Sequence, residues 1–391
     1  MALTAKWRRR WNLLGAGALV GLGLDCATPS SRSLMLLGTA LTLGGIAWFL
    51  ATLLSGRQDG VLYRKRKQIM LAAATTSITL LLVIAVALSL RIAPRHFAVE
   101  NQRYDAELGW APPPEVIGQR GQTADPSRDQ VLLVGDSIVY GFGVEPDQTA
   151  AHDLEQILGA PQVLNLALSG WSIDQYYVYL HRVLRDAPGL RPKLVIVGIF
   201  TGNDYEVTSL EYGWGHTKPL FRLRDDQLVL HNPDLLADNC IDHMAQSLLF
   251  RVLWMRKDLA LDLIDMFCNP ARLGPEELER VIGKLFASIE ADAHHHGAQV
   301  LFVLLPTDKH LKDLEEGKSR YSYTRLRELL ERGGHRYYEF YPDIVRAAGE
   351  DETGIFLDGA HYTPAGHQVL AESLARVIRQ RGLLDGPPPA P

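Results

Sequence analysis

The chain has 391 residues, 47% of them hydrophobic, and a formal net charge of -5. That length leaves room for one large domain and something more, and the charge gives no reason to expect nucleic acid as a partner. The apolar residues are unevenly spread, and the first hundred positions hold the densest runs.

Segments 34–54 and 69–90 carry no charged residue. At 1.5 Å rise per residue, each is long enough to cross a hydrocarbon core of roughly 30 Å, so both are predicted transmembrane helices. A third run, 12–24, is shorter and glycine-rich. It could be the core of a signal peptide, a lipoprotein signal ending at Cys26, or a first span. Asp25 stands where the lipoprotein signal wants a small residue, and a cleaved signal followed at once by two more spans is awkward. Charge placement favours a span. Lys6, Arg8, Arg9 and Arg10 precede the run, and Arg57, Arg64, Lys65, Arg66 and Lys67 follow the second span. Three spans place both basic segments inside the cell and everything after Leu90 outside. The expectation is therefore a multi-pass protein of the cell (inner) membrane with a periplasmic or extracellular domain.

Residues 93–128 are rich in Pro, Gly, Gln and Arg and read as a linker and docking arm. Beyond them, apolar runs at 130–135, 162–170, 193–200 and 299–306, with a weaker one at 336–342, alternate with helical patterns at 148–158, 172–186, 275–296, 322–331 and 364–380. Near-continuous apolar strands separated by helices predict an α/β fold, a doubly wound parallel sheet covered on both faces. The domain runs over 129–384, followed by a disordered tail at 385–391. The interval 205–269 is too long for a βα connection and is an insertion, loops first and a helical segment after. That segment separates Cys240 from Cys268. A disulfide requires it to fold back, and no Gly or Pro marks such a turn, so bridged and free cysteines both remain open.

In a sheet of this kind, ligands bind outside the carboxyl ends of the strands. The first strand ends in Gly135-Asp136-Ser137, the second in Ser169-Gly170, and the third runs into Gly202-Asn203-Asp204. After the fifth comes "FLDGAHYTPAGH", with Asp358 and His361. Singly, each has a plainer explanation: a turn, a helix cap, a metal ligand pair. Together they supply what acyl transfer needs. Ser137 is the nucleophile, His361 the base, and Asp358 the carboxylate that holds the imidazole tautomer. The amides of Ser137 and Gly170 and the side chain of Asn203 can surround an oxyanion.

These four blocks, "GDSIVYGFGV", Gly170, "TGND" and "DGAH", resemble those of the SGNH hydrolases, the GDSL-type esterase/lipase superfamily. The resemblance covers about 129–382. It implies a flavodoxin-like hydrolase fold, the Ser137–His361–Asp358 triad, an oxyanion hole of Ser137, Gly170 and Asn203, and no metal or cofactor. It also implies esters as substrates, often acetyl groups on carbohydrate, and for membrane-tethered members a link to envelope polysaccharide. An acylated carbohydrate or lipid is thus the expected partner, with polysaccharide-biosynthesis proteins beside it and no nucleic acid. Two alternatives stand: a lipase or lysophospholipase at the membrane surface, and a non-catalytic scaffold binding glycan or a biosynthetic partner.

Other features carry plainer expectations. Asp136 is expected to cap the helix after it, and Asp204 to orient its loop. Tyr176, Tyr177 and Tyr179 pack a helix, and His294–His296 lie at a helix C-terminus, where the dipole favours them. Trp171 and Trp214 are candidates for sugar stacking. The apolar stretch "SLLFRVLWM" packs onto the main domain.

Overall fold

A computed structural model describes residues 103–113, 122–187, 189–214, 216–232, 269, 271–315, 321–348 and 354–386. The three expected spans (12–24, 34–54, 69–90), the cysteines and the helical part of the insertion lie outside the described residues. Among the described residues, no helix is long and apolar enough to cross a membrane.

Among the described residues, eleven strands are numbered in chain order, and five of them form the central sheet. These are β3 (Gln130–Val134), β4 (Gln162–Asn165), β5 (Pro192–Phe200), β10 (Gln299–Leu305) and β11 (Tyr337–Glu339). They are all parallel, in the order β11-β10-β5-β3-β4. The chain thus starts near the middle, steps one way to β4, then crosses to the other side. Its switch point lies between β3 and β5, where Val134 pairs with Val197.

Side-chain alternation explains why both faces are covered. Leu132, Val134, Val195, Val197, Phe302 and Leu304 belong to one buried cluster, and Val131, Leu133, Leu194, Ile196, Leu301 and Val303 to the other. In a strand, successive side chains point to opposite faces, so two apolar layers are needed. Helices α3 (Ile173–Asp186), α5 (Pro275–His295) and α7 (Tyr321–Arg332) supply the first layer. Helices α2 (Ala150–Leu158), α8 (Tyr341–Ala348) and α9 (Pro364–Arg381) supply the second.

The expected docking arm contains a two-stranded hairpin, β1 (Arg103–Asp105) with β2 (Gly109–Ala111). Leu108 in its turn and Trp110 within β2 are buried, Gln175 Nε2 donates to the Leu108 carbonyl at 2.8 Å, and Arg182 reaches both Asp105 oxygens at 2.7 Å. Strands of three residues are too short to show a period, so patterning does not reveal them.

The first part of the insertion, expected as loops, is also structured. It holds β6 (Tyr212–Gly213) paired with β7 (His216–Thr217), and β8 (Phe221–Arg224) paired with β9 (Gln227–Leu230). Asp225 and Asp226 turn the second hairpin at φ 50° and 60°, the left-handed pair that a two-residue hairpin turn requires. At the other end of the domain, the Gly386 carbonyl accepts from Gln299 Nε2 at 3.2 Å, and 387–391 lie outside the described residues.

Candidate active site

Ser137 opens a helix of only four residues, α1 (Ser137–Tyr140), directly after β3. Asp136 is its N-cap and accepts from the Ile138 amide at 2.9 Å, while Gly141 ends it at φ 81°. Two glycines make this tight exit possible. A Cβ on Gly135 or on Gly198, inside β5, would come within 2.4 Å of Val139 Cγ2. Without those side chains α1 settles directly on the end of the sheet, and the Ser137 hydroxyl is presented at its edge.

His361 Nε2 lies 2.9 Å from Ser137 Oγ, and its Nδ1 lies 2.8 Å from Asp358 Oδ2. With the proton on Nδ1, donated to Asp358, Nε2 is the acceptor facing the hydroxyl. The other Asp358 oxygen accepts from the amides of Ala360 (3.1 Å) and His361 (2.9 Å), so one short loop fixes both partners. Partial burial works against the Asp358 charge, but the His361 amide, the His361 ring and the Ala360 amide outweigh it and hold the carboxyl below its usual range. A bridge between Phe356 and Tyr362 closes the loop, and Tyr362 is wholly buried.

Gly170 and Asn203 follow β4 and β5 at the same edge of the sheet. The segment leading to Gly170 is laced to β3, with Leu166 and Leu168 amides donating to the Leu133 and Gly135 carbonyls at 2.7 and 3.2 Å. Gly170 has φ 82°, a conformation that favours glycine. Asn203 stands at the N-cap place of α4 (Asp204–Val207), yet its side chain makes no capping bond, and its buried Oδ1 has no hydrogen-bond partner among the described residues. The carboxamide is therefore not consumed by the helix next to it. It is Asp204 that orients the loop: its Oδ2 accepts from the Phe200 amide at 2.8 Å and from the Tyr176 hydroxyl at 2.9 Å.

Close to Ser137 lies a group of buried titratable side chains that sequence patterning did not bring together. Burial pushes Asp136 up to about 6, against the Ile138 hydrogen bond and the nearby His361. Burial, then the neighbouring Asp136, push Asp204 well above the usual carboxylate range. Asp174 at the start of α3 forms a fully buried ion pair with Lys218 of the insertion. Burial raises the acid and lowers the base, while the pairing opposes both. Lys218 Nζ also donates to the Leu210 and Pro219 carbonyls, each at 3.2 Å. A lone Lys before a proline offers no sequence cue for such burial.

One sugar-stacking expectation is corrected. Trp171 is 1% exposed, its Nε1 donates to the Trp110 carbonyl at 3.0 Å, and it packs on Tyr179, so it is part of the core. Trp214, in contrast, is 65% exposed. Phe142 packs on the His361 ring at 4.8 Å and is partly open to solvent. His294 and His295 end α5, and His296 caps it with Nδ1 2.8 Å from the Asp292 carbonyl. Among the described residues, no group of three or more His, Cys, Asp or Glu side chains is placed to hold a metal ion.

A serine, an imidazole and a carboxylate in one hydrogen-bonded series, at the switch point of a parallel sheet, define a serine-hydrolase type of site. The sequence agrees with that class. Residues 133–369 match the model of the GDSL-like lipase/acylhydrolase family, and the chain belongs to that family. It is thus an SGNH-type ester hydrolase. No curated protein matches the chain. Among solved structures it is similar to TesA (17% identity, 64% of this chain and 99% of the other, TM-score 0.37). It is also similar to a lipolytic G-D-S-L family protein from Veillonella parvula (10%, 64% and 98%, 0.37). A third is the acetylxylan esterase Axe2 from Geobacillus stearothermophilus (12%, 64% and 94%, 0.38).

Proposed function

We propose that this chain is a membrane-anchored, extracytoplasmic serine esterase or acyltransferase that acts on O-acetyl or similar short acyl esters of an envelope or exported polysaccharide. The observation that carries the catalytic part is the series Ser137 Oγ–His361 Nε2 at 2.9 Å and His361 Nδ1–Asp358 Oδ2 at 2.8 Å. The anchoring rests on the two charge-free runs 34–54 and 69–90 and on the basic residues that flank them. Association with polysaccharide-biosynthesis proteins rests on the resemblance to membrane-tethered members of the family.

In this mechanism Ser137 Oγ attacks the ester carbonyl carbon as its proton passes to His361 Nε2. The carbonyl electron pair moves to oxygen, and the amides of Ser137 and Gly170 and the Asn203 carboxamide donate to that oxyanion. Each such donor lowers the barrier by about 3 kcal/mol. Collapse breaks the bond to the alcohol oxygen, which takes the proton from His361. Water then releases the acyl group by the same steps in reverse, giving a carboxylic acid. A second alcohol in place of water gives a transferred ester. Asp358, accepting from Nδ1 throughout, stabilises the imidazolium.

The test is turnover of acetyl, butyryl and octanoyl nitrophenyl esters by the wild-type chain and Ser137→Ala. Serine-dependent cleavage that declines with chain length supports the short-acyl assignment. Activity that rises with chain length points to a lipase, and full activity in Ser137→Ala rejects the triad.

A further inference from the structure

Trp214 combines two properties that usually exclude each other. It has φ 53°, a left-handed conformation that a bulky L-residue adopts only under constraint, and it is 65% exposed. It follows β6 in the turn to β7, a place where Gly, Asn or Asp is the ordinary choice. Burial of the ring therefore does not explain the strain, and an observed outlier of this kind is a pointer to function.

The indole is also placed against the proposed site. A Cβ on Gly170 would lie 2.8 Å from Trp214 Cδ1 and 3.2 Å from its Cγ, so the ring rests on the glycine itself. Trp110 supports the same loop from the buried side: its Cζ2 would lie 3.4 Å from that Cβ, and its Nε1 donates to the Ser169 carbonyl at 3.1 Å. His216, just past the turn, packs at a tilt on Trp110, with ring centroids 5.4 Å apart. Gly170 is thus held between a buried tryptophan and an exposed one.

We infer that Trp214 is the stacking platform for the sugar ring of the ester substrate, an inference that rests on acyl transfer at Ser137 beside Gly170. The shape of the surface selects this ligand class. One flat, solvent-open aromatic face suits a pyranose, whose C–H face lies on the indole while its hydroxyls stay in water. A long acyl chain gains its transfer free energy only when water is removed all around it, and an open platform does not do that.

The experiment compares glucose pentaacetate with vinyl acetate, which has no ring to stack, using the full chain purified in mild detergent. Trp214→Gly suits the backbone of the turn, so its thermal midpoint is expected not to fall. Its kcat/KM on glucose pentaacetate relative to that on vinyl acetate drops at least tenfold, mainly through KM, and Trp214→Phe recovers most of the loss. A change in that ratio of less than threefold overturns the platform, including the case where both esters lose activity equally because the Gly170 loop has been disturbed. Ser137→Ala run beside it separates the two claims. If that variant keeps its activity, acyl transfer at Ser137 is wrong; if it is dead while Trp214→Gly keeps the ratio, only the platform is wrong.

Discussion

The carboxylates around Ser137 live under opposite conditions. Asp358 has a side chain 53% exposed, is fixed by residues two and three positions away, and is held below its ordinary range. Asp136 and Asp204 are 1% and 0% exposed, and both are pushed up. Asp204 is bound across the fold to Tyr176, 28 positions away. Chemistry needs a dependable negative charge beside the imidazole, and an exposed, amide-rich loop provides one because its hydrogen bonds outweigh the partial desolvation there. The buried acids serve geometry instead. One caps the helix that carries Ser137, and the other ties the Asn203 loop to α3.

This contrast predicts activity losses on the His361 side and stability losses on the buried side. The largest effect is expected for His361→Ala, whose turnover of an activated acetyl ester falls on the order of 10⁴-fold with unfolding unchanged. Next, Lys218→Met removes the cation facing buried Asp174, which keeps the Ser172 hydroxyl and the Gln175 amide as donors, and should cost about 3–5 kcal/mol in urea unfolding. Adding Asp174→Leu should return much of that loss, because the pair is then replaced by apolar groups.

Asp136 sets a pH dependence. Its folded value of about 6 lies above the unfolded 3.8, so the native state holds the proton more tightly in between. Stability therefore falls as pH rises through that window, by about 3 kcal/mol at most. Asp136→Asn keeps an acceptor for the Ile138 amide and should flatten much of this slope. Asp204, also raised by burial, leaves a residual slope of the same sign. Unfolding midpoints of both proteins between pH 4 and 8 measure it, and an unchanged slope would reject the assignment. The smallest effect is expected for Asp358→Asn. Because that side chain is half exposed and water can replace part of its role, turnover should fall about 10²-fold rather than by the full loss of a buried triad acid.

The parts of this molecule that were readable in its sequence share a cause. The apolar runs of β3, β5 and β10 are long and buried on both faces; the blocks at the ends of β3 and β5 place Ser137 and Asn203 by topology, and the block after β11 places Asp358 and His361. Asp136 and Asp204 were also readable, since a residue next to a strand end has few other tasks. Trp171 was misjudged because nearness to a strand end does not tell a buried ring from an open one. The hairpin of β1 and β2, the ribbons of the insertion and the Lys218–Asp174 pair were not readable. The first hairpin and the ion pair depend on partners 44 to 77 positions away, which neither period nor propensity reports, and the strands of the ribbons are only two to four residues long.

The most direct measurement of the central claim is to map the site of attachment of a fluorophosphonate by mass spectrometry, in the wild-type chain and in His361→Ala. A single adduct on the peptide containing Ser137, lost when His361 is removed, is the predicted result. Labelling of another serine, or labelling of Ser137 that proceeds equally well without His361, would contradict it.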